Sequence, residues 1–443
     1  MTLADRTPDH IPEPSELVIF TQEELEDAIE KHKMYLKGQR GGARAVIKYR
    51  NLSGLDFNQC DLSHADFTGS ALISANLSHC KFEAACFFAC DLRNSDLRHT
   101  GFNRADFRGA YVAGANLTGA DLANADMREG KIMHRGKQGE LTDRKRSGGI
   151  GAKTIFTGAR LSDTNMTGAQ ARSADFSDAD MTGVVLQDAD LEGASFTGAN
   201  LTDADFTGSN LTGASMKSSI VSGTILDRIE RNGLDMEGAV EERDMGSRLE
   251  NLGKSLPELL EEHTLWVATV GRSGRQLDLG GYDLRDVLDI KRFPLTAIKA
   301  IGANLLNQDL RGASLQSATF DRSDFRDANM EGADLRASTL KYAQLSRANL
   351  KDAKLCPLEF TNPDGSKRLQ RTDLSGAVMR YSAFENTDLR DCVLMGVDLT
   401  NAVFINCDLR RADLTGAILT GTIFENTKLD DAVVDMKAIA RTS

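Results

Sequence analysis

The sequence predicts an all-β solenoid: two arrays of a tightly wound coil, each preceded by a capping helix. Three observations carry this prediction. An apolar residue returns every five positions over long stretches, as in Leu52, Phe57, Leu62, Phe67, Leu72 and Leu77. Phenylalanines in that phase recur at a spacing of twenty, in the pairs 67–87, 87–107, 82–102, 156–176, 176–196, 384–404 and 404–424. Aromatic residues make up only 6% of the chain, so the core must be built mainly from Leu, Ala and Phe. A period of five matches neither the 3.6-residue helix nor strand alternation. It matches a coil in which each five-residue step forms one side. A large ring packs well on another ring one coil above, at roughly the 4.8 Å strand spacing. Steps of five within turns of twenty give four sides per coil.

The elements follow in chain order. Residues 1–45 read as an N-terminal tail and a capping helix, FTQEELEDAIEKHKMYLKGQRGGARAV, with acidic residues early and basic ones late, as the helix dipole favours. An open coil end exposes unpaired strand edges, and a helix placed there covers them. The first array spans 46–226. Two places before most inward residues sits a small one (Ala65, Ser70, Ala75, Cys80, Ala85), which must also face inward beside its copies. A polar insertion is looped out at 133–150. Residues 227–277 read as a helical linker and second cap. The second array spans 278–434, with an insertion at 356–372, and 435–443 is a C-terminal tail. The two caps share an order. His32 precedes Tyr35 and Leu36, then Gly and Arg; His263 precedes Trp266 and Val267, then Gly and Arg. This indicates a duplicated cap-plus-coil unit. Between Leu284 and Leu305 the phase slips by one residue, and the stretch cannot be traced from the sequence.

The runs Ala115-Asn116-Leu117-Thr118-Gly119 and Ala199-Asn200-Leu201-Thr202-Asp203 resemble the pentapeptide-repeat family. The resemblance covers roughly two-thirds of the chain by the repeat period. It implies a right-handed quadrilateral parallel β-helix. It also implies a mode of action: some quinolone-resistance-type members bind DNA gyrase or topoisomerase IV in place of DNA. Members often pair through their C-terminal ends, which makes a homodimer through 432–439 an expectation here.

Composition narrows the function. Lys plus Arg is 53 against 65 Asp plus Glu, a net charge of −12. Direct nucleic-acid binding needs a basic excess, so it is not expected. The N-terminal residues carry no signal-peptide pattern and no apolar run approaches membrane-spanning length, so a cytoplasmic protein is expected. The seven cysteines form no CxxC pair and read as reduced. A filled coil has no interior pocket, and most aspartates precede an inward Leu or Phe as the repeat dictates. No enzyme, cofactor or metal is therefore expected. His79 and His99 lie one turn apart on one face, but no third ligand is evident and they read as a solvated pair. Cys60 and Cys80 read as small core fillers.

Charge is unevenly spread. Residues 133–153 hold six basic and two acidic side chains, net +4. Residues 154–226 hold three basic and nine acidic ones, net −6. Over roughly 18 Å of coil that is about one charge per 3 Å, about half the linear density of duplex DNA. Two readings result. One is a non-enzymatic protein–protein interaction scaffold whose loops 133–150 and 356–372 make the contacts. The other is a DNA-mimicking modulator of a type II topoisomerase. The candidate partner-binding residues are Arg135, Lys137, Arg144, Lys145 and Arg146 in the first loop, and Lys367, Arg368 and Arg371 in the second. On the acidic coils they are Asp175, Asp178, Asp180, Asp188, Asp190, Asp203 and Asp205.

Overall fold

A computed structural model of the 443-residue chain describes residues 14–57, 59–130, 133–135, 141–143, 153–361 and 365–434. The chain divides into two compact units that meet in sequence between Glu242 and Arg243.

The five-residue step has one local design throughout. The inward residue donates its N–H to a carbonyl in the next coil, as Phe67 does to Cys86 and Phe87 to Asp106, each at 2.8 Å. The residue before it bridges in parallel to a residue twenty further on, in the series Asp66, Cys86, Asp106, Asp126. That bridging residue is usually Asp or Asn because its side-chain oxygen accepts the N–H two places on. Asn116 Oδ1 accepts from Thr118 N at 3.1 Å and from the Thr118 hydroxyl at 2.7 Å. The hydrogen bond closes a tight turn. Two places after the inward residue the backbone is left-handed, with φ of 54° at Asp188 and 74° at Gly208. Gly, Asn and Asp tolerate that conformation best, which explains their recurrence there. The small residue then returns the chain inward, and Ala85, Ala105 and Ala125 are fully buried.

In the first unit, strand β1 (Val18–Ile19) leads into helix α1 (Gln22–Leu36). A capping box starts α1: the Thr21 hydroxyl accepts from Glu24 N, and the Glu24 carboxylate accepts from Thr21 N at 2.8 Å. β1 pairs in parallel with β2 (Arg50–Asn51). The side chains stack as the spacing of twenty requires. Phe67–Phe87 and Phe87–Phe107 centroids are 5.2 Å apart, and Phe82–Phe102 are 5.5 Å apart, all near parallel. The insertion carries an antiparallel pair, β3 (Met133–Arg135) with β4 (Leu141–Asp143). The coil resumes in register, with Tyr111 bridging Ile155 and Asp126 bridging Gln170.

The coil runs further than the repeat phase indicates. Residues 227–240, expected as a helical linker, continue it through the bridges 210–230, 215–235 and 220–240. The sequence hides this last turn because Arg231 and Glu241 occupy inward-phase positions. Its backbone still pairs with the coil before it, as in Leu211 N to Glu230 O at 2.7 Å.

In the second unit Ser247 bridges Tyr282, as Val18 bridges Arg50 in the first. Helix α2 (Leu256–Ala268) starts with its own capping box, Ser255 with Glu258. The one-residue slip is now located. Bridges 278–299 and 283–304 span twenty-one residues rather than twenty, and a 3-10 turn at Ile290–Arg292 takes up the difference. The second insertion is a hairpin of β5 (Leu358–Thr361) and β6 (Lys367–Gln370). Beyond it β7 (Ala383–Glu385), β8 (Val403–Ile405), β9 (Asp413–Leu414), β10 (Ile423–Glu425) and β11 (Val433–Val434) pair in parallel at the same spacing of twenty.

Candidate interaction surface

Both coil interiors are filled by one continuous apolar cluster each, so binding chemistry must be sought outside. At the second cap an open groove of about 540 Å³ runs past Leu249, Lys254 and Glu258, and a cavity of about 190 Å³ lies among Leu252, Leu259, Arg275 and Tyr282. Among the described residues no three His, Cys, Asp or Glu side chains converge on a common metal position. None of their helices is long and apolar enough to cross a membrane.

The caps hold a buried polar device. His32 and His263 are both fully buried. His32 Nδ1 accepts from Ala45 N at 2.9 Å, and Nε2 lies 3.0 Å from Ser63 O. His263 repeats this with Leu277 N at 3.1 Å and Thr296 O at 3.1 Å. One ring nitrogen must accept and the other must donate, so each imidazole is neutral. Burial holds both below the ordinary histidine pKa, against the opposing pull of the Ser63 and Thr296 carbonyls. The shared order of cap residues therefore has a shared structural role.

The coil faces divide by charge. A pattern that the sequence reading missed, Asp-x-Arg, recurs on them. In each instance the arginine folds back on the bridging aspartate two places earlier: Arg98 Nη2 to Asp96 at 2.6 Å, Arg108 to Asp106 at 2.7 Å, Arg390 to Asp388 at 2.7 Å, Arg410 to Asp408 at 2.6 Å. Its signal was visible as DLR, DFR and DMR at 91, 96, 106, 126, 283, 309, 324, 334, 388 and 408. These faces neutralise themselves. Residues 154–226 contain no Asp-x-Arg, because Ser, Thr or Glu stands two places after each bridging aspartate there.

The predicted acidic residues fall there, with several roles. Asp175, Asp180 and Asp205 accept turn N–H groups from Ser177 at 3.0 Å, Thr182 at 3.2 Å and Thr207 at 2.8 Å. The Thr207 hydroxyl, joined by the Gln187 amide and opposed by burial, holds the Asp205 carboxyl below the usual aspartate range. Asp190 pairs with Arg172 at 2.5 Å. Asp178, Asp188 and Asp203 sit at left-handed corners, and Asp188 and Asp203 are exposed. Each of these three lies against a glycine one coil on (Gly198, Gly208, Gly223), so corner acids do not follow on consecutive coils. The surface is acidic without a continuous stripe.

Of the basic residues, Arg135 lies in β3, while Lys137, Arg144, Lys145 and Arg146 lie outside the described residues. In the hairpin, Lys367 pairs with Glu359 at 2.7 Å and Arg368 covers the Phe360 ring at 5.8 Å. Arg371 donates to the backbone carbonyls of Asp391 and Cys392. The structure thus separates the second loop's cations: two stay on the hairpin and the third ties its base to the coil.

The architecture is that of a parallel β-helix. A family model described as pentapeptide repeats matches residues 51–87, 90–128, 154–188, 185–223, 295–327, 320–355, 368–396 and 392–431. The chain belongs to the pentapeptide repeat family, and its fold is a right-handed β-helix, the hand that parallel crossovers almost always take. Solved structures similar to it include QnrB1, a plasmid-mediated fluoroquinolone resistance protein, at 20% identity over 48% of this chain and 94% of that one, with a TM-score of 0.25. A pentapeptide repeat protein from the cyanobacterium Cyanothece is 23% identical over 30% and 91%, with a TM-score of 0.18. HetL, involved in heterocyst differentiation regulation in the cyanobacterium Nostoc, is 17% identical over 91% and 97%, with a TM-score of 0.14. No curated protein matches the chain.

Proposed function

We propose that this protein is a non-enzymatic scaffold for protein–protein interaction. One observation carries the reading: the interior is filled, while the outward faces display charge at fixed, coil-by-coil positions. The acidic coils 154–226 and the loops 133–150 and 356–372 are the contact elements. Four five-residue steps close a quadrilateral section, and α1 and α2 cap the first coil of each unit. This leaves a stiff frame on which loops present side chains. The location we infer is cytoplasmic. Pull-downs with the intact chain, with 358–370 deleted and with Asp175, Asp188 and Asp203 changed to Asn test it. Partners that bind the intact chain should be lost from at least one variant; identical or empty profiles from all three argue against the scaffold.

The net charge of −6 over 154–226 supports a second reading, a DNA-mimicking modulator of a type II topoisomerase. A gyrase supercoiling assay at low salt, where charge effects are largest, decides it. Unchanged activity at micromolar protein removes this reading and leaves the scaffold standing.

A further inference from the structure

We propose that His79 and His99 form a two-imidazole clasp for a divalent transition-metal cation on the surface of the first unit. Both residues occupy left-handed corners, with φ of 58° and 54°, and both are exposed. Their backbones are fixed by the coil, His79 N donating to Arg98 O at 2.9 Å and His99 N to Thr118 O at 3.1 Å. At several other corners the side chain leans over a glycine on the next coil, as Asn94 does over Gly114 and Asp188 over Gly208. Here two rings follow on consecutive coils. Their centroids are 5.0 Å apart and their planes differ by 25°.

The corner above is Gly119, where an added Cβ would stand 2.6 Å from His99 Nδ1. His99 therefore keeps its Nδ1 edge against the coil, which leaves Nε2 as the outward ligand atom. Two metal–nitrogen bonds of about 2.0–2.1 Å at a tetrahedral angle need nitrogens about 3.4 Å apart. Both side chains are exposed and can turn toward that separation while the coil holds their backbones. The neighbouring cation does not oppose the charge, because Arg98 is tied to Asp96 by two hydrogen bonds of 2.8 and 2.6 Å. Water completes the coordination. Imidazole donors favour copper, nickel and zinc over magnesium or calcium, with copper bound most tightly.

The full chain and the His79→Asn, His99→Asn and double variants are titrated with copper, nickel and zinc chlorides by calorimetry and thermal melting. Asn suits the left-handed corner, so the variants keep the fold. The intact chain should bind one cation through this pair and melt at a higher temperature with it, since only the folded coil brings the rings together. Each single variant should bind at least tenfold more weakly, and the double variant should lose the cation-dependent shift. Affinity within twofold of the parent in either single variant, or no binding by the parent at millimolar metal, overturns the proposal.

Discussion

Phe87 packs between Phe67 and Phe107, with ring planes tilted by only 13° and 11°. Removing it leaves a cavity that the rigid coils on both sides resist closing. Phe87→Ala should therefore cost about 3–5 kcal/mol in chemical denaturation. The corner glycines show the opposite limit. At Gly208, φ is +74° and an added Cβ would stand 2.4 Å from Asp188 Oδ1. Gly208→Ala should destabilise by about 1–2 kcal/mol. Part of that loss should return in the Asp188→Gly background, a coupling that a double-mutant cycle measures. Position within the five-residue step also explains five of the seven cysteines, Cys60, Cys80, Cys90, Cys392 and Cys407, which are buried. Cys90 and Cys392 sit in the inward small-residue column, where burial pushes their thiols up, as the filler reading expects.

At the scale of the element, the caps carry a pH dependence. Protonating His32 or His263 would set a donor against the Ala45 or Leu277 N–H. The folded values lie below the ordinary histidine value of about 6.5, so between the two the unfolded chain binds more protons. Stability is complete above about pH 6.5 and falls as pH is lowered through the folded value. Denaturation midpoints at pH 7.5 and 5.0 should show this loss. In His32→Leu the part due to the first cap should vanish, while baseline stability drops because Ala45 N and Ser63 O lose their partner. The histidine order was legible in the sequence; the two hydrogen bonds were not, since they join residues 13 and 31 apart in a spacing no repeat announces. The Asp-x-Arg pairs were legible and overlooked, because the repeat accounts for the aspartate without asking what stands two places on.

Over the whole molecule, register is counted in twenties. Deleting residues 176–195 removes one turn and brings Phe196 onto Phe156, so cooperative unfolding by circular dichroism should survive. Deleting 176–193, two residues fewer, puts Ala194, Ala199 and Ala204 in the places of Phe176, Met181 and Leu186, empties the core and should abolish it. The five-residue period and the phenylalanines at twenty determined the coil, because a backbone that returns every twenty residues must place like side chains on like. The sequence also placed two insertions and a duplicated cap. Only the tertiary structure decided how far each coil runs, where the extra residue between 278 and 304 is absorbed, and which charges stay uncompensated. Those outcomes depend on what lies on the neighbouring coil: Arg231 can hold an inward-phase place because it sits on the last coil of its unit, where it is exposed. Likewise, Asp96 and Asp175 occupy the same repeat position, yet differ in net charge by what stands two residues on.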